Sequence, residues 1–170
     1  ECNRIKELIN GMLQLSSLEK MDLHIKTVNL SEIANKIAQN IKAQSSGNVE
    51  FIITNEMTEN TDEAIINIIL ENLLGNAYKF SSKKSDPLIE FRKTQINGKN
   101  VYFIRDNGVG FDMKYADQLF EPFKRFHDET EFPGTGIGLA TVQRALSRIG
   151  GHIWAESKPN QGATFYFSIS

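Results

Sequence analysis

The chain has 170 residues, of which 40% are hydrophobic and 24% charged, and it carries a net charge of −2. That length fits one domain with a small appendage and that composition supports a sizeable core, while the near-neutral charge excludes a general electrostatic pull toward nucleic acid or an anionic membrane. The single Cys2 excludes an internal disulfide and points to a reducing compartment; no apolar run approaches the roughly 18 residues that span a bilayer, and no secretory signal is expected.

The chain starts at Glu1 without an initiator methionine, so the expectation is a piece of a longer protein. Ile5, Leu8, Met12 and Leu15, with Ile9 and Leu18 beside them, recur at helical spacing and predict a helix with one apolar seam. Such a seam suits a helix docked on its own domain, or half of a helical hairpin or dimeric bundle. Residues 25–30 suit a short strand. Ser31 is placed to cap a helix reaching about residue 43, with Ile33, Ala34, Ile37, Ala38 and Ile41 on one face. Residues 49–54 are β-rich. A long helix is predicted over 62–80, its apolar positions including Ile65, Ile66, Ile69, Leu70, Leu73 and Leu74.

Residues 88–94 and 100–105 read as two strands joined by the hairpin signal Asn97-Gly98. Residues 111–133 have no clean period and predict a long mobile or ligand-ordered segment. A helix is expected over 136–149, closed by Gly150 as a left-handed cap. Residues 152–157 and 163–169 complete the chain as strands, with Trp154 expected in the core. Mixed elements with two antiparallel hairpins predict an α+β fold, one mixed and largely antiparallel sheet packed on helices in two layers.

Three motifs carry chemistry. In Glu71-Asn72-Leu73-Leu74-Gly75-Asn76-Ala77-Tyr78-Lys79, Asn72 and Asn76 share a helix face with Lys79. Amide oxygens are hard ligands suited to magnesium, and they add no negative charge beside a polyphosphate, to which Lys79 offers a point charge. A solvated helix face would hold the same residue types. Asp106-Asn107-Gly108-Val109-Gly110 ends a strand. Asn-Gly is a favoured turn pair, but the second glycine also permits close backbone approach. A carboxylate, which only accepts hydrogen bonds, suits an exocyclic amine such as that of adenine. Gly134-Thr135-Gly136-Ile137-Gly138-Leu139 precedes a helix, where free N–H groups and the dipole bind phosphate. It is neither the dinucleotide fingerprint nor a P-loop. His24, His127 and His152 lack metal-ligand spacing and are expected to be structural or exposed, and Phe120, Phe123 and Phe126 either pack the domain or form a lid.

In this order the motifs resemble the catalytic ATP-binding domain of sensor histidine kinases, within the wider superfamily of gyrase, chaperone and mismatch-repair ATPases. Asn72 to Lys79 resemble the asparagine box, Asp106 to Gly110 the first glycine box, Phe120-Glu121-Pro122-Phe123 the phenylalanine box, and Gly134 to Leu139 the second glycine box. The short lid with its Phe-Lys-Arg-Phe-His stretch is similar to phytochrome-like members. The resemblance covers about residues 25–170. It implies that Asp106 binds the adenine amine in a pocket shaped by Gly108 and Gly110. Asn76 and Asn72 would serve magnesium and phosphate, and Lys79 and Arg125 would reach phosphates. Phe120, Phe123, Thr135, Ile137 and Leu139 would belong to the nucleotide site, and the amides near Gly136 and Gly138 would hold the triphosphate of ATP. Glu71 stands where hydrolysing relatives place a base.

The resemblance further implies that residues 1–22 end the second helix of a dimerisation and phosphoacceptor hairpin, and that residues 23–170 form the catalytic domain. Its partners would be that hairpin, a response-regulator receiver domain and a second copy in a full-length homodimer. Nucleic acid and membrane contact are not expected, and the location would be cytoplasmic. One departure matters. Family acceptor histidines are usually followed by an acidic residue, whereas His24 is followed by Ile25, His127 lies in the lid and His152 starts a strand. The expected activity is therefore transfer of the γ-phosphoryl of Mg-ATP to a histidine upstream of this chain. The alternatives are a hydrolysing ATPase of the same superfamily and a nucleotide-binding pseudokinase scaffold.

Overall fold

A computed structural model describes residues 2–128 and 130–170. The chain forms α1 (Cys2–Leu18), β1 (Ile25–Asn29), α2 (Leu30–Gln44), β2 (Glu50–Ile53), β3 (Thr58–Asp62), α3 (Glu63–Ser81), β4 (Leu88–Ile96), β5 (Lys99–Asp106), α4 (Gly138–Arg148), β6 (His152–Ser157) and β7 (Ala163–Ser168). A 3-10 helix over Met113–Gln118 lies inside the long segment between β5 and α4. The main sheet has the order β2-β4-β5-β7-β6. Among the described residues only the β2–β4 pair is parallel, so the sheet is mixed and largely antiparallel. Helices α2, α3 and α4 cover one face, giving the expected two-layer α+β fold.

The core follows from strand alternation and the helical stripe of α3. Ile89 and Phe91 of β4, Tyr102 and Ile104 of β5 and Phe167 of β7 are buried under Ile65, Ile66, Ile69, Leu70, Leu73 and Leu74 of α3. At its centre Phe91, Tyr102 and Phe167 form an aromatic triangle with centroids 5.7–6.3 Å apart. Tyr102 donates its hydroxyl to Glu59 at 2.7 Å. Burial first, and then Glu59, raise its pKa. Asp62 starts α3: one carboxylate oxygen accepts from Ile65 N at 3.0 Å and the other from His24 N at 2.8 Å.

Several elements depart from expectation. Strand β3 has the polar sequence Thr-Glu-Asn-Thr-Asp, which carries no strand signal. It exists because it pairs antiparallel with β1 in a second, two-stranded sheet, from Ile25↔Asp62 to Asn29↔Thr58. The cap of α2 is Asn29, which accepts from Glu32 N at 3.2 Å. Ser31 instead lies buried, donating to Thr54 O at 2.6 Å and accepting from Met57 N at 2.9 Å. Trp154 is only half-buried and stacks on Tyr166 at 5.7 Å, because both side chains lie on the sheet face away from the helices. Helix α4 begins at Gly138, and Gly150 does close it in a left-handed conformation, φ +80°.

The seam of α1 is split. Leu18 is fully buried, Leu8 and Leu15 are half-buried, and Ile5, Ile9, Met12 and Leu13 are exposed. Its C-terminal end is held on α4: Arg148 donates to Leu18 O at 3.0 Å and to Met21 O, and Arg144 pairs with Glu19. Among the described residues, no helix is long and apolar enough to cross a membrane.

Candidate nucleotide site

The site begins on the last three turns of α3. Asn72 and Asn76 lie one turn apart and Lys79 follows, all facing the loop that leads into α4. Asn72 donates its amide hydrogen back to Ile68 O at 2.8 Å, which leaves its Oδ1 as the outward group. A Cβ built on Gly138 would stand 3.0 Å from that oxygen and 3.9 Å from Asn76 Nδ2. Glycine at 138 therefore lets the start of α4 come down onto the asparagine face. Lys79 Nζ sits 4.7 Å above the Phe80 ring. Burial, together with the nearby Arg125 guanidinium, holds its pKa below the usual lysine value.

The opposite wall is the turn after β5. Asp106 is 6% exposed, and its Oδ1 accepts from Gly108 N at 2.8 Å. Only glycine fits this turn. A Cβ on Gly108 would lie 2.2 Å from the Phe80 carbonyl oxygen, and one on Gly110, at φ +61°, would lie 2.1 Å from the Lys158 carbonyl oxygen. The fit is locked by Val109 N donating to Phe80 O at 3.0 Å. Burial raises the Asp106 carboxyl to about 6, partly opposed by backbone hydrogen bonds from Gly108 and Ala163. A carboxylate this poorly hydrated gains strongly from any amine donor that reaches it.

Between these walls lies a cavity of about 910 Å³. It is lined by Asn72, Asn76, Lys79, Asp106, Gly110 and Arg125, and by the whole run Gly134 to Leu139. Four residues expected at the site lie outside this lining. Gly108 supports the turn from behind. Glu71 is exposed, because one residue along a helix rotates the side chain by about 100°, away from the face that Asn72 presents. Phe120 is half-buried outside the cavity, and Phe123 is 54% exposed with φ +67°. Arg125 turns back on its own loop, donating to Phe132 O at 2.6 Å and to Gly134 O.

The cavity also contains residues that the sequence motifs do not mark. Phe80, Phe111, Phe126, His127, Phe132 and Phe165 supply aromatic walls. From α1 come Asn10, Gly11 and Gln14, with Gly11 packed so closely that a Cβ would meet Ile137 Cδ1 at 3.1 Å. The only local signal for Phe80 is that it follows Lys79, and the α1 residues come from more than 50 positions away in sequence. An aromatic slot with one buried carboxylate suits a planar base bearing an amine. Amides, a lysine and a glycine-rich helix start suit phosphates.

The donor set also fits magnesium. Among the described residues no group of three or more His, Cys, Asp or Glu could hold a metal. Magnesium with a polyphosphate needs only one or two protein oxygens, because phosphates and water fill the rest of its shell. Asn72 Oδ1, freed by the back-bond to Ile68, and the Asn76 amide provide that number.

Residues 61–170 match the family described as histidine kinase-, DNA gyrase B-, and HSP90-like ATPase. The phytochrome-like protein Cph1 of Synechocystis is 29% identical over 166 residues, covering 97% of this chain and 22% of that protein. Full-length ShkA in complex with AMPPNP superposes with a TM-score of 0.75 at 23% identity, over 95% of this chain and 35% of that one. The mycobacterial sensor histidine kinase MprB superposes at 0.71 with 22% identity, over 86% of this chain and 97% of that one. The chain thus spans under a quarter of the length of Cph1, and the two superpositions establish the fold. Because the family match spans more than half of the sequence and contains all three chemical motifs, the chain belongs to the histidine kinase-, DNA gyrase B- and HSP90-like ATPases.

Proposed function

We propose that this chain is the ATP-binding catalytic domain of a two-component sensor histidine kinase, passing the γ-phosphoryl of Mg-ATP to a histidine outside the chain. The observation that carries this reading is the polarity of the cavity. The buried Asp106 carboxylate stands at one end, and Asn72, Asn76 and Lys79 face the glycine-rich start of α4 at the other. Asp106 accepts from the adenine amine. The backbone amides of Gly136 and Gly138 and the ammonium of Lys79 orient the triphosphate, with Arg125 within reach from the lid. Asn76 and Asn72 would hold magnesium, which when bound would neutralise phosphate charge. An imidazole nitrogen of the acceptor attacks the γ-phosphorus in line as the bond to the ADP oxygen breaks, so the protein contributes mainly position and electrostatics.

Three placements favour transfer over hydrolysis and point to an acceptor elsewhere. Glu71, the residue a hydrolytic reading would use as base, is exposed and outside the cavity lining. His24 and His152 are exposed at or near strand starts, and His127 is packed between Phe80 of α3 and Phe132 of the lid. On this reading α1 is the end of a hairpin helix, and its exposed Ile5, Ile9, Met12 and Leu13 meet the rest of that hairpin and a second copy in a homodimer. The phosphohistidine then passes its phosphoryl to a receiver domain.

The test is incubation with γ-labelled Mg-ATP. The chain alone should bind nucleotide without stable labelling, and adding a dimeric hairpin bearing a histidine followed by an acidic residue should give acid-labile label on that hairpin. Acid-labile phosphate on His24, His127 or His152, or rapid phosphate release without an acceptor, would overturn the reading.

A further inference from the structure

Among the described residues His127 is the one histidine that lines the cavity, and the catalytic scheme gives it no task. Its ring is gripped from two sides. The Phe80 ring, on the last turn of α3, lies 5.2 Å away, and the Phe132 ring of the lid lies 5.5 Å away nearly edge-on. Phe80 and Phe132 also touch each other at 5.2 Å, so the three rings close a triangle. Gly110 lines the same cavity, and its backbone is among the groups that act on the imidazole. That backbone belongs to the turn that presents Asp106, and the turn is itself pinned to the Phe80 carbonyl through Val109 N. One side chain on the lid therefore stands where the lid, the end of the asparagine helix and the base-binding turn meet. Lys79 and Glu131 are the charged groups that face it, and burial above all holds its pKa below the usual histidine value.

We infer that His127 is a positioning residue for the nucleotide: packed on Phe80, its imidazole donates to the Gly110 backbone and so clasps the lid to the base-binding turn, setting the width of the base slot. This rests on the ATP-site reading above. The hydrogen bond and the ring packing make separable demands, so two variants divide them. His127→Gln keeps an N–H donor and loses the ring. His127→Phe keeps the ring and loses the donor.

The experiment measures ADP affinity by calorimetry and amide exchange over residues 120–136 with and without saturating ADP, beside thermal melts of all three proteins. His127→Phe should lose roughly 3- to 10-fold in ADP affinity, the range of one hydrogen bond. It should also lose much of the ADP-dependent exchange protection in the lid, while its melting temperature stays near that of the native chain. His127→Gln should recover most of both. Native affinity and native lid protection in His127→Phe would overturn the clasp. Equal losses in both variants, tracking a lowered melting temperature, would reduce His127 to packing and also overturn it. Failure of the native chain to bind ADP would instead strike the ATP-site reading.

Discussion

Replacing the Asp106 carboxyl by an amide, Asp106→Asn, should separate stability from binding. The carboxyl is raised from 3.8 to about 6 by burial. Its folded pKa lies above its unfolded one, so between about pH 4 and 6 the native state holds a proton that the unfolded chain has released, and stability falls as pH rises through that window. At pH 7 the full penalty is present, on the order of 3 kcal/mol for a shift of this size. The substituted amide would be neutral, and its Oδ1 could still accept from Gly108 N, as Asp106 does at 2.8 Å. The nucleotide-free variant should therefore melt higher at pH 7, by up to about 10 °C for a chain of this length. The gain should shrink as pH drops toward 4. Binding should move the other way. Loss of a charge-assisted hydrogen bond to the adenine amine costs about 1.5–3 kcal/mol, roughly 10- to 100-fold in ATP affinity. Discrimination against GTP should fall with it, and native ATP affinity should itself weaken as pH drops through about 6. Calorimetry and thermal melts across pH 4–8 read both quantities. Undiminished ATP affinity, or a lower melting temperature at pH 7, would refute the reasoning.

Asn76→Ala should abolish the magnesium dependence of nucleotide affinity while leaving a metal-independent component from the base slot and glycine turns; titrations with and without magnesium check this. Asp62→Ala should lower stability by about 1–2 kcal/mol in urea unfolding, because Ile65 N loses its cap and His24 N its partner. Gly11→Leu should cost about 1–3 kcal/mol by overpacking, since its Cβ already meets Ile137 at 3.1 Å, and a melt at native temperature would mean that α1 gives way without cost.

Features set by neighbours in sequence were the legible ones. Asp62 beginning α3, the Asn97-Gly98 turn and Gly150 ending α4 each express a local backbone demand, and all stand in the fold. The three chemical motifs were equally readable, and the fold brings Asn72, Asn76, Lys79, Asp106 and the glycine-rich run around one cavity. What escaped was decided by partners far along the chain. Strand β3 is polar and exists through β1. Ser31 has the chemistry of a cap but is drawn inward by Thr54 and Met57. Trp154 alternates onto the outer sheet face, where hydrophobicity alone could not place it. Asn10, Gly11 and Gln14 reach the cavity because the end of α1 is fixed by the buried Leu18 and by Arg148 and Arg144 of α4.

The most direct test is a structure of this chain crystallised with magnesium and a non-hydrolysable ATP analogue. The adenine amine should lie within hydrogen-bond distance of the Asp106 carboxylate. The metal should be coordinated by an amide oxygen of Asn76, and the phosphates should lie against the amides of Gly136 and Gly138. A base bound away from Asp106, or a metal held without either Asn72 or Asn76, would contradict the assignment of this cavity.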